Sequence, residues 1–183
     1  MHPRSKTNRS TFLMVEVLGA VFIILVGSAL HFTYAWSGNN PAIGVFSAVN
    51  ESVWEHLKLA FWPSLFFAVI EFAPLGKRSS NFAFAKMAGT CAMIALIPAV
   101  FYAYTAFTGE SVFAVDIATF IVAVIWGQLV SLRLVAAREL PKALNAVALA
   151  VVVLLAVTFA VFTFYPPHLP IFLDPVTGKY GIA

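Results

Sequence analysis

Five long apolar stretches constrain this chain more than any other feature of its sequence. They cover residues of about 11–36, 57–74, 82–107, 111–135 and 145–164. A helix needs about 20 mostly apolar residues to cross the hydrocarbon core of a bilayer. The 183 residues are 61% hydrophobic and only 10% charged, whereas soluble domains are about 25% charged. The sequence therefore predicts an all-α fold: a single integral membrane domain over residues 1–183, a polytopic bundle of five transmembrane helices followed by an ordered outer tail over 165–183.

The second stretch is the weakest of the five, because it is short and contains Pro63. A proline inside a helix removes one backbone hydrogen bond and clashes with the preceding turn. The pattern thus predicts either a new helical turn that begins near Trp62 or a kink at Pro63.

The distribution of lysine and arginine predicts the orientation in the membrane, since cytoplasmic loops carry an excess of both. An N-terminus in the cytoplasm places nine of the eleven basic residues inside and two outside. The inner set is Arg4, Lys6, Arg9, Lys77, Arg78, Lys86, Arg133, Arg138 and Lys142, and the outer set is Lys58 and Lys179. We therefore expect five crossings in the cell membrane, with a cytoplasmic N-terminus and an extracytoplasmic C-terminus.

Ionisable residues collect at the predicted outer end of the bundle. His31 lies five residues before the end of the first apolar stretch, and Asp116 lies five residues after the start of the fourth. At ~1.5 Å per residue both would sit roughly 7–8 Å below the helix ends, at the same depth. The first outer loop adds further polar groups, and the tail adds His168. Such groups are costly in a bilayer and usually face the bundle interior, where they pair and carry function.

The segment 50–56 has two interpretations. Ser52 followed by Glu55 three residues later is typical of a capping box that starts the second helix. Alternatively, Glu51 and Glu55 share one helical face, and Ser52 and His56 share the adjacent one. A carboxylate and an imidazole on one turn suit metal binding or acid–base chemistry.

These positions suggest a metal-dependent membrane hydrolase with an extracytoplasmic site. A divalent ion, zinc by preference, would be held by His31, His56 and Asp116, with His168 as a fourth ligand. Glu51 or Glu55 would be the catalytic general base that acts on water at the metal. A site at the outer interface implies a lipid-like substrate.

Other functions stay open, because no known catalytic motif is present. The chain would equally suit a non-enzymatic transporter, an ion- or proton-responsive protein, an assembly protein, or a haem or quinone site that uses His31. The inner half is sparse in polar groups, and Glu16 and Glu71 there are expected to pair with nearby lysine or arginine, or to reach the membrane surface, rather than to carry function.

The expected partners are membrane lipids. The net charge of +3 follows from the inner basic residues, and without a dense basic run it does not indicate nucleic-acid binding. Gly19, Gly27 and Ser28 in the first helix would allow close helix contact, which is compatible with a homo-oligomer. In the tail, Asp174 and Gly178 predict a turn. Neighbouring apolar residues predict either that the tail packs back onto the bundle, with His168 and Asp174 over the outer mouth, or that it is an anchor at the membrane interface.

The chain also resembles a family of uncharacterised multi-pass prokaryotic membrane proteins, a domain of unknown function. The resemblance is carried by His31 with Tyr34, by FSAVNESVWEHLK over residues 46–58 and by FLDPVTGKYGI over 172–182. It implies a helical membrane protein without an assigned activity, and it supplies no catalytic residues.

Overall fold

The computed structural model describes residues 6–182, apart from the side chains of residues 6–9, Pro74 and Lys77. Every regular element in this part of the chain is helical, which confirms the all-α prediction. Five long helices are joined by short connections, together with one short helix and two 3-10 turns. They are α1 (Lys6–Trp36), α2 (Pro41–Gly44), α3 (Val53–Leu75), α4 (Phe82–Thr108), α5 (Phe113–Val135) and α6 (Ala143–Phe164), with the turns at Gly76–Arg78 and Pro170–Phe172.

The two ends of the bundle differ in what they carry. One end, which we call the tail end, holds the loop 37–52 with α2, the α4–α5 connection and the C-terminal tail. The opposite end holds the starts of α1, α4 and α6. All five long helices are long and apolar enough to cross a membrane. The orientation of the two ends stays a prediction, and Arg4, one of the residues behind it, lies outside the described residues.

The core lies along the axis of the bundle. Each long helix contributes a nearly inaccessible side chain to it: Ile23, Phe61, Met93, Val124 and Phe159. Large apolar side chains such as Leu25, Val69 and Leu154 cover the outer surface and are more than half exposed. A bundle that is apolar inside and outside is suited to an apolar solvent, which is compatible with its five membrane-length helices.

The second long helix begins earlier than predicted and is not interrupted. It starts at Val53 rather than near Leu57, because Ser52 caps it by accepting a hydrogen bond from the Glu55 N–H at 3.4 Å. Pro63 lies inside a continuous helix, so no new turn begins at Trp62. Much of α3 is buried among the other helices, which explains why its sequence is less uniformly apolar.

Pro63 also shapes the contact between α1 and α3. A proline has no N–H, so Pro63 cannot donate the helical hydrogen bond that the Leu59 carbonyl, four residues earlier, would otherwise accept. Gly27 of α1 packs against this carbonyl: a Cβ atom on Gly27 would lie 2.4 Å from the Leu59 oxygen. Gly27 thus serves close packing within one chain, and so does Gly19, where a Cβ would collide with Phe67 and Gln128.

We expect Gly27→Val to lower the free energy of unfolding by about 1–3 kcal/mol, the usual cost of overpacking a filled core. The atom in the way is a backbone oxygen, which cannot rotate aside. Unfolding in mixed detergent micelles measures the loss. Ala29→Val adds two methyl groups on the exposed face two residues later and should be near neutral. Equal stabilities for the two variants would contradict the close contact.

The tail forms the predicted turn. The Asp174 carboxylate accepts hydrogen bonds from the Val176 N–H at 3.0 Å and the Thr177 hydroxyl at 2.5 Å. Gly178 closes the turn at φ +70° by donating its N–H to the Asp174 carbonyl at 2.9 Å. The tail packs back on the bundle through Phe172, whose buried ring contacts Trp54.

Candidate metal centre

The loop 37–52 is fastened to the helices on both sides of it. The Ser47 hydroxyl donates a hydrogen bond to the Leu30 carbonyl of α1 and accepts one from the Tyr34 N–H at 3.0 Å. The Trp62 indole N–H of α3 donates to the Val45 carbonyl at 2.9 Å. These contacts fix the path of the loop, and with it the position of Glu51 at the tail end.

Asn50 and Ser52 fix the start of α3. The Asn50 side chain accepts from the Ser52 N–H at 2.9 Å and donates to the Gly181 carbonyl of the tail at 3.0 Å. Only half of the predicted capping box forms. Ser52 caps the helix as expected, but the Glu55 carboxylate accepts from the Val49 N–H at 3.0 Å and pairs with Lys58 instead of returning to Ser52.

Three of the predicted site residues meet at the tail end. The Nε2 atoms of His31 and His56 lie 3.2 Å apart. An oxygen of the Glu51 carboxylate lies 3.6 Å from the first nitrogen and 3.5 Å from the second. Three metal-binding atoms, from α1, the loop and α3, therefore form a nearly equilateral triangle, which we call the His–Glu–His cluster.

The geometry of the triangle fits a tetrahedral ion. Zinc binds imidazole nitrogen and carboxylate oxygen at about 2.0–2.2 Å, so neighbouring ligand atoms in a tetrahedral shell are about 3.3–3.6 Å apart. The three observed separations lie within 0.1 Å of this range. The side chains of His31, His56 and Glu51 are 29%, 32% and 49% exposed, so the cluster is partly accessible from outside the bundle.

The position of the proton on the His56 ring also fits a metal site. Nδ1 of His56 lies 2.8 Å from the Ser52 carbonyl, which can only accept, so Nδ1 carries the hydrogen. In the neutral imidazole Nε2 then presents its lone pair to the cluster. Metal-bound histidines commonly donate their other N–H to a carbonyl in this way. The Nε2 lone pair of His56 and the Glu51 carboxylate thus face the same point beside Nε2 of His31, where a positive charge would be stabilised.

The neighbouring histidines change the pKa of Glu51. Its contact with the His31 ring, aided by the charges of both imidazoles and opposed by partial burial, lowers the pKa of the Glu51 carboxyl below its ordinary value. The carboxylate is therefore ionised at neutral pH and available as a ligand.

The other predicted site residues lie outside the triangle. Asp116 accepts a hydrogen bond from the Tyr104 hydroxyl at 2.5 Å and is not among the three residues whose ligand atoms converge. His168 is exposed and stacks on Tyr180, with ring centroids 4.5 Å apart. Glu55 is buried against Lys58.

Sequence reasoning missed Lys58, which it counted only as an outer charge. Its side chain is fully buried, pairs with Glu55, and donates to the Gly44 carbonyl at 2.7 Å and the Thr163 hydroxyl at 2.9 Å. The signal was a lysine three residues after a glutamate on one helical face. Lys86 was missed in the same way and is described below.

Fold and cluster together define an all-helical protein with five membrane-length helices and a His–Glu–His cluster at one end. The chain belongs to a family of unknown function, DUF6512, whose model matches residues 1–182. The expectation of an uncharacterised family is thereby confirmed. No curated protein and no solved structure matches the chain.

Proposed function

We propose that the protein is a multi-pass cell-membrane hydrolase whose active site is a zinc ion held by His31, His56 and Glu51 at the extracytoplasmic face. The observation that carries the proposal is the triangle of three ligand atoms, with edges of 3.2, 3.5 and 3.6 Å. Two imidazoles, one carboxylate and an open fourth position are typical of catalytic rather than structural zinc sites.

Each residue of the proposed site has its own role in the reaction. Zinc would supply an activated water, because it lowers the pKa of bound water to about 7. The Ser52 carbonyl holds the His56 ring in the required tautomer. With Glu51 placed among the ligands and Glu55 paired with Lys58, Asp116 is the remaining carboxylate of the predicted site, and we assign it as the general base that accepts the proton of water. Tyr104 orients Asp116 through its hydroxyl.

The site favours a lipid-like substrate with a hydrolysable ester or phosphoester bond. The cluster lies where α1 ends and α3 begins, so in a bilayer it would sit at the level where headgroups meet acyl chains. A substrate that stays in the membrane would present its polar bond at that depth while its chains remain among the exposed apolar side chains of the helices.

Metal content tests the site. We expect purified wild-type protein to bind about one zinc ion per chain, and His56→Ala to weaken zinc affinity by at least about 100-fold, the upper end of the loss seen when only a group that hydrogen-bonds a metal ligand is removed. Elemental analysis and competition with a chelating dye measure both. His168→Ala, which alters an exposed histidine of the same end, should keep full zinc content.

Asp116→Asn then separates binding from catalysis. It should retain zinc and lose hydrolysis of ester or phosphoester lipids in vesicles. A wild-type chain without zinc, or with zinc unaltered by His56→Ala, would overturn the metal site. Zinc binding without hydrolysis of either lipid class would instead favour a non-enzymatic, metal-responsive membrane protein.

A further inference from the structure

A second buried cluster lies at the opposite end of the bundle. Lys86 of α4 donates to the Glu16 carboxylate of α1 at 2.6 Å and to the Glu71 carboxylate of α3 at 2.7 Å. The Ser131 hydroxyl of α5 donates to the same Glu16 oxygen at 2.9 Å. The side chains of Glu16 and Glu71 are 3% and 2% exposed, so this network is almost free of solvent.

The charges of this cluster do not balance. Two carboxylates face one ammonium group, which leaves one negative charge in excess when all three are ionised. Among the described side chains, α5 adds only the neutral Gln128 and Ser131, and Arg78 of the adjoining 3-10 turn is exposed. An excess charge is costly in a buried, apolar site, so the cluster needs one more positive charge.

Unpartnered atoms show where that charge belongs. The second carboxylate oxygens of Glu16 and Glu71 are buried without a hydrogen-bond partner. Glu71 also lines a cavity of about 10 Å³ between the helices. That volume is about the size of one water molecule, too small for an organic ligand.

Two hydroxyl groups that line the cavity are suited to accept a hydrogen. The Ser64 hydroxyl donates to the Ala60 carbonyl at 2.6 Å, and the Thr90 hydroxyl donates to the Lys86 carbonyl at 2.9 Å. Each hydroxyl has a single hydrogen, and both are already engaged with helix carbonyls. What these two oxygens still offer is lone pairs, which can accept from a carboxylic acid O–H, and the Gln128 amide oxygen beside them can accept as well.

We propose that this cluster is a proton-binding site and that Glu71 is the residue that takes up the proton. An O–H bond forms on its free oxygen, the proton comes from water at the adjacent end of the bundle, and the net charge of the cluster falls to zero. Two donors, Lys86 and Ser131, contact the Glu16 carboxylate, whereas Glu71 has only Lys86, so the proton is assigned to Glu71.

The proton site is independent of the proposed metal centre. Glu16 and His31 are fifteen residues apart on α1, which at 1.5 Å per residue corresponds to about 22 Å. The buried side chains of Ile23, Phe61 and Met93 belong to the core between the two ends. Each site therefore has its own test, and failure of one leaves the other standing.

Infrared difference spectra of the full chain in lipid bilayers test the proposal. On acidification from alkaline to weakly acidic pH, the wild type should gain the C=O stretching band of a protonated carboxyl group. Glu71→Gln should lose most of that band, while Glu110→Gln, which removes an exposed carboxylate, should leave it unchanged. Glutamine has the shape of a protonated glutamate, so Glu71→Gln should keep the wild-type helical content and zinc binding.

Three results would overturn the proposal. A band that survives in Glu71→Gln and disappears in Glu16→Gln would place the proton on the other carboxylate. A band retained in both variants would assign it to the tail end, where Glu51, Glu55 and Asp116 lie. No band at any pH, together with thermal stabilisation by sodium that Glu71→Gln abolishes, would make the cavity a sodium site.

Discussion

Lys58→Met is expected to lower the free energy of unfolding by about 3–5 kcal/mol, the cost of breaking a buried ion pair from one side. The lysine is fully buried and joins three separate parts of the chain: Glu55 of its own helix, the Gly44 carbonyl and the Thr163 hydroxyl of α6. Methionine has a similar length but no charge, so the Glu55 carboxylate would stay buried without its counterion. Unfolding in mixed detergent micelles gives the free energy.

Two further variants make the result specific. Lys179→Met removes an exposed charge at the same end of the bundle and should change stability by less than about 0.5 kcal/mol. Lys58→Met combined with Glu55→Gln should recover part of the loss, because the uncompensated charge is gone. If the single and double variants are equally unstable, the lysine acts by packing and hydrogen bonding and not as a counterion.

The same contacts connect Lys58 to the candidate metal centre. Glu55 and His56 are adjacent on the first turn of α3, and Glu55 holds the Val49 N–H in the loop that carries Glu51. Loss of Lys58 should therefore loosen the cluster as well as the fold. Weaker zinc binding in a chain that still has wild-type helical content would be the sign of this second effect.

The fold could be predicted to a large degree because its signals are local. Apolar length fixes the five long helices, Ser52 caps α3 and the Asp174 turn follows from its own residues. The prediction erred at the start of α3, where apolar length was given more weight than the cap. It also left Pro63 ambiguous, because only the packing of Gly27 against the Leu59 carbonyl shows how a proline fits inside that helix.

The candidate site could be predicted in part. Counting residues from the helix ends placed His31 and Asp116 at one depth, and the segment 50–56 added Glu51 and His56 at the same end of the bundle. Depth does not fix the rotation of a helix about its axis, which depends on packing against every neighbour. That is why nothing in the sequence showed that Asp116 meets Tyr104 or that His168 stacks on Tyr180.

The cluster at the opposite end shows the limit of reasoning from one helix at a time. Glu16 and Glu71 were predicted to pair with a basic residue, and both ion pairs with Lys86 confirm this. The prediction missed that one lysine serves both carboxylates, because the three residues come from three helices. The excess of negative charge, from which the proton-binding site is inferred, exists only in that combination.

Lys86→Met is expected to be as damaging as the loss of Lys58, with a cost of about 3–5 kcal/mol, because it leaves two carboxylates buried without a counterion. The loss should shrink as the pH is lowered, since protonation removes the uncompensated charges. Unfolding of the variant and the wild type in mixed micelles over a range of pH measures both effects. Lys142→Met, an exposed change at the same end, should be near neutral.

A double-mutant cycle then separates the two carboxylates. If Glu71 already carries a proton in the wild type, Glu71→Gln alone should cost little, whereas Glu16→Gln removes the charge that Lys86 balances. Adding Glu16→Gln to Lys86→Met should therefore restore more stability than adding Glu71→Gln. The reverse order would mean that Lys86 is the counterion of Glu71. Glu16 would then hold the unbalanced negative charge and would be the residue that takes up the proton. Charge balance requires that one carboxylate be neutral, and the donors that each carboxylate contacts decide which one it is.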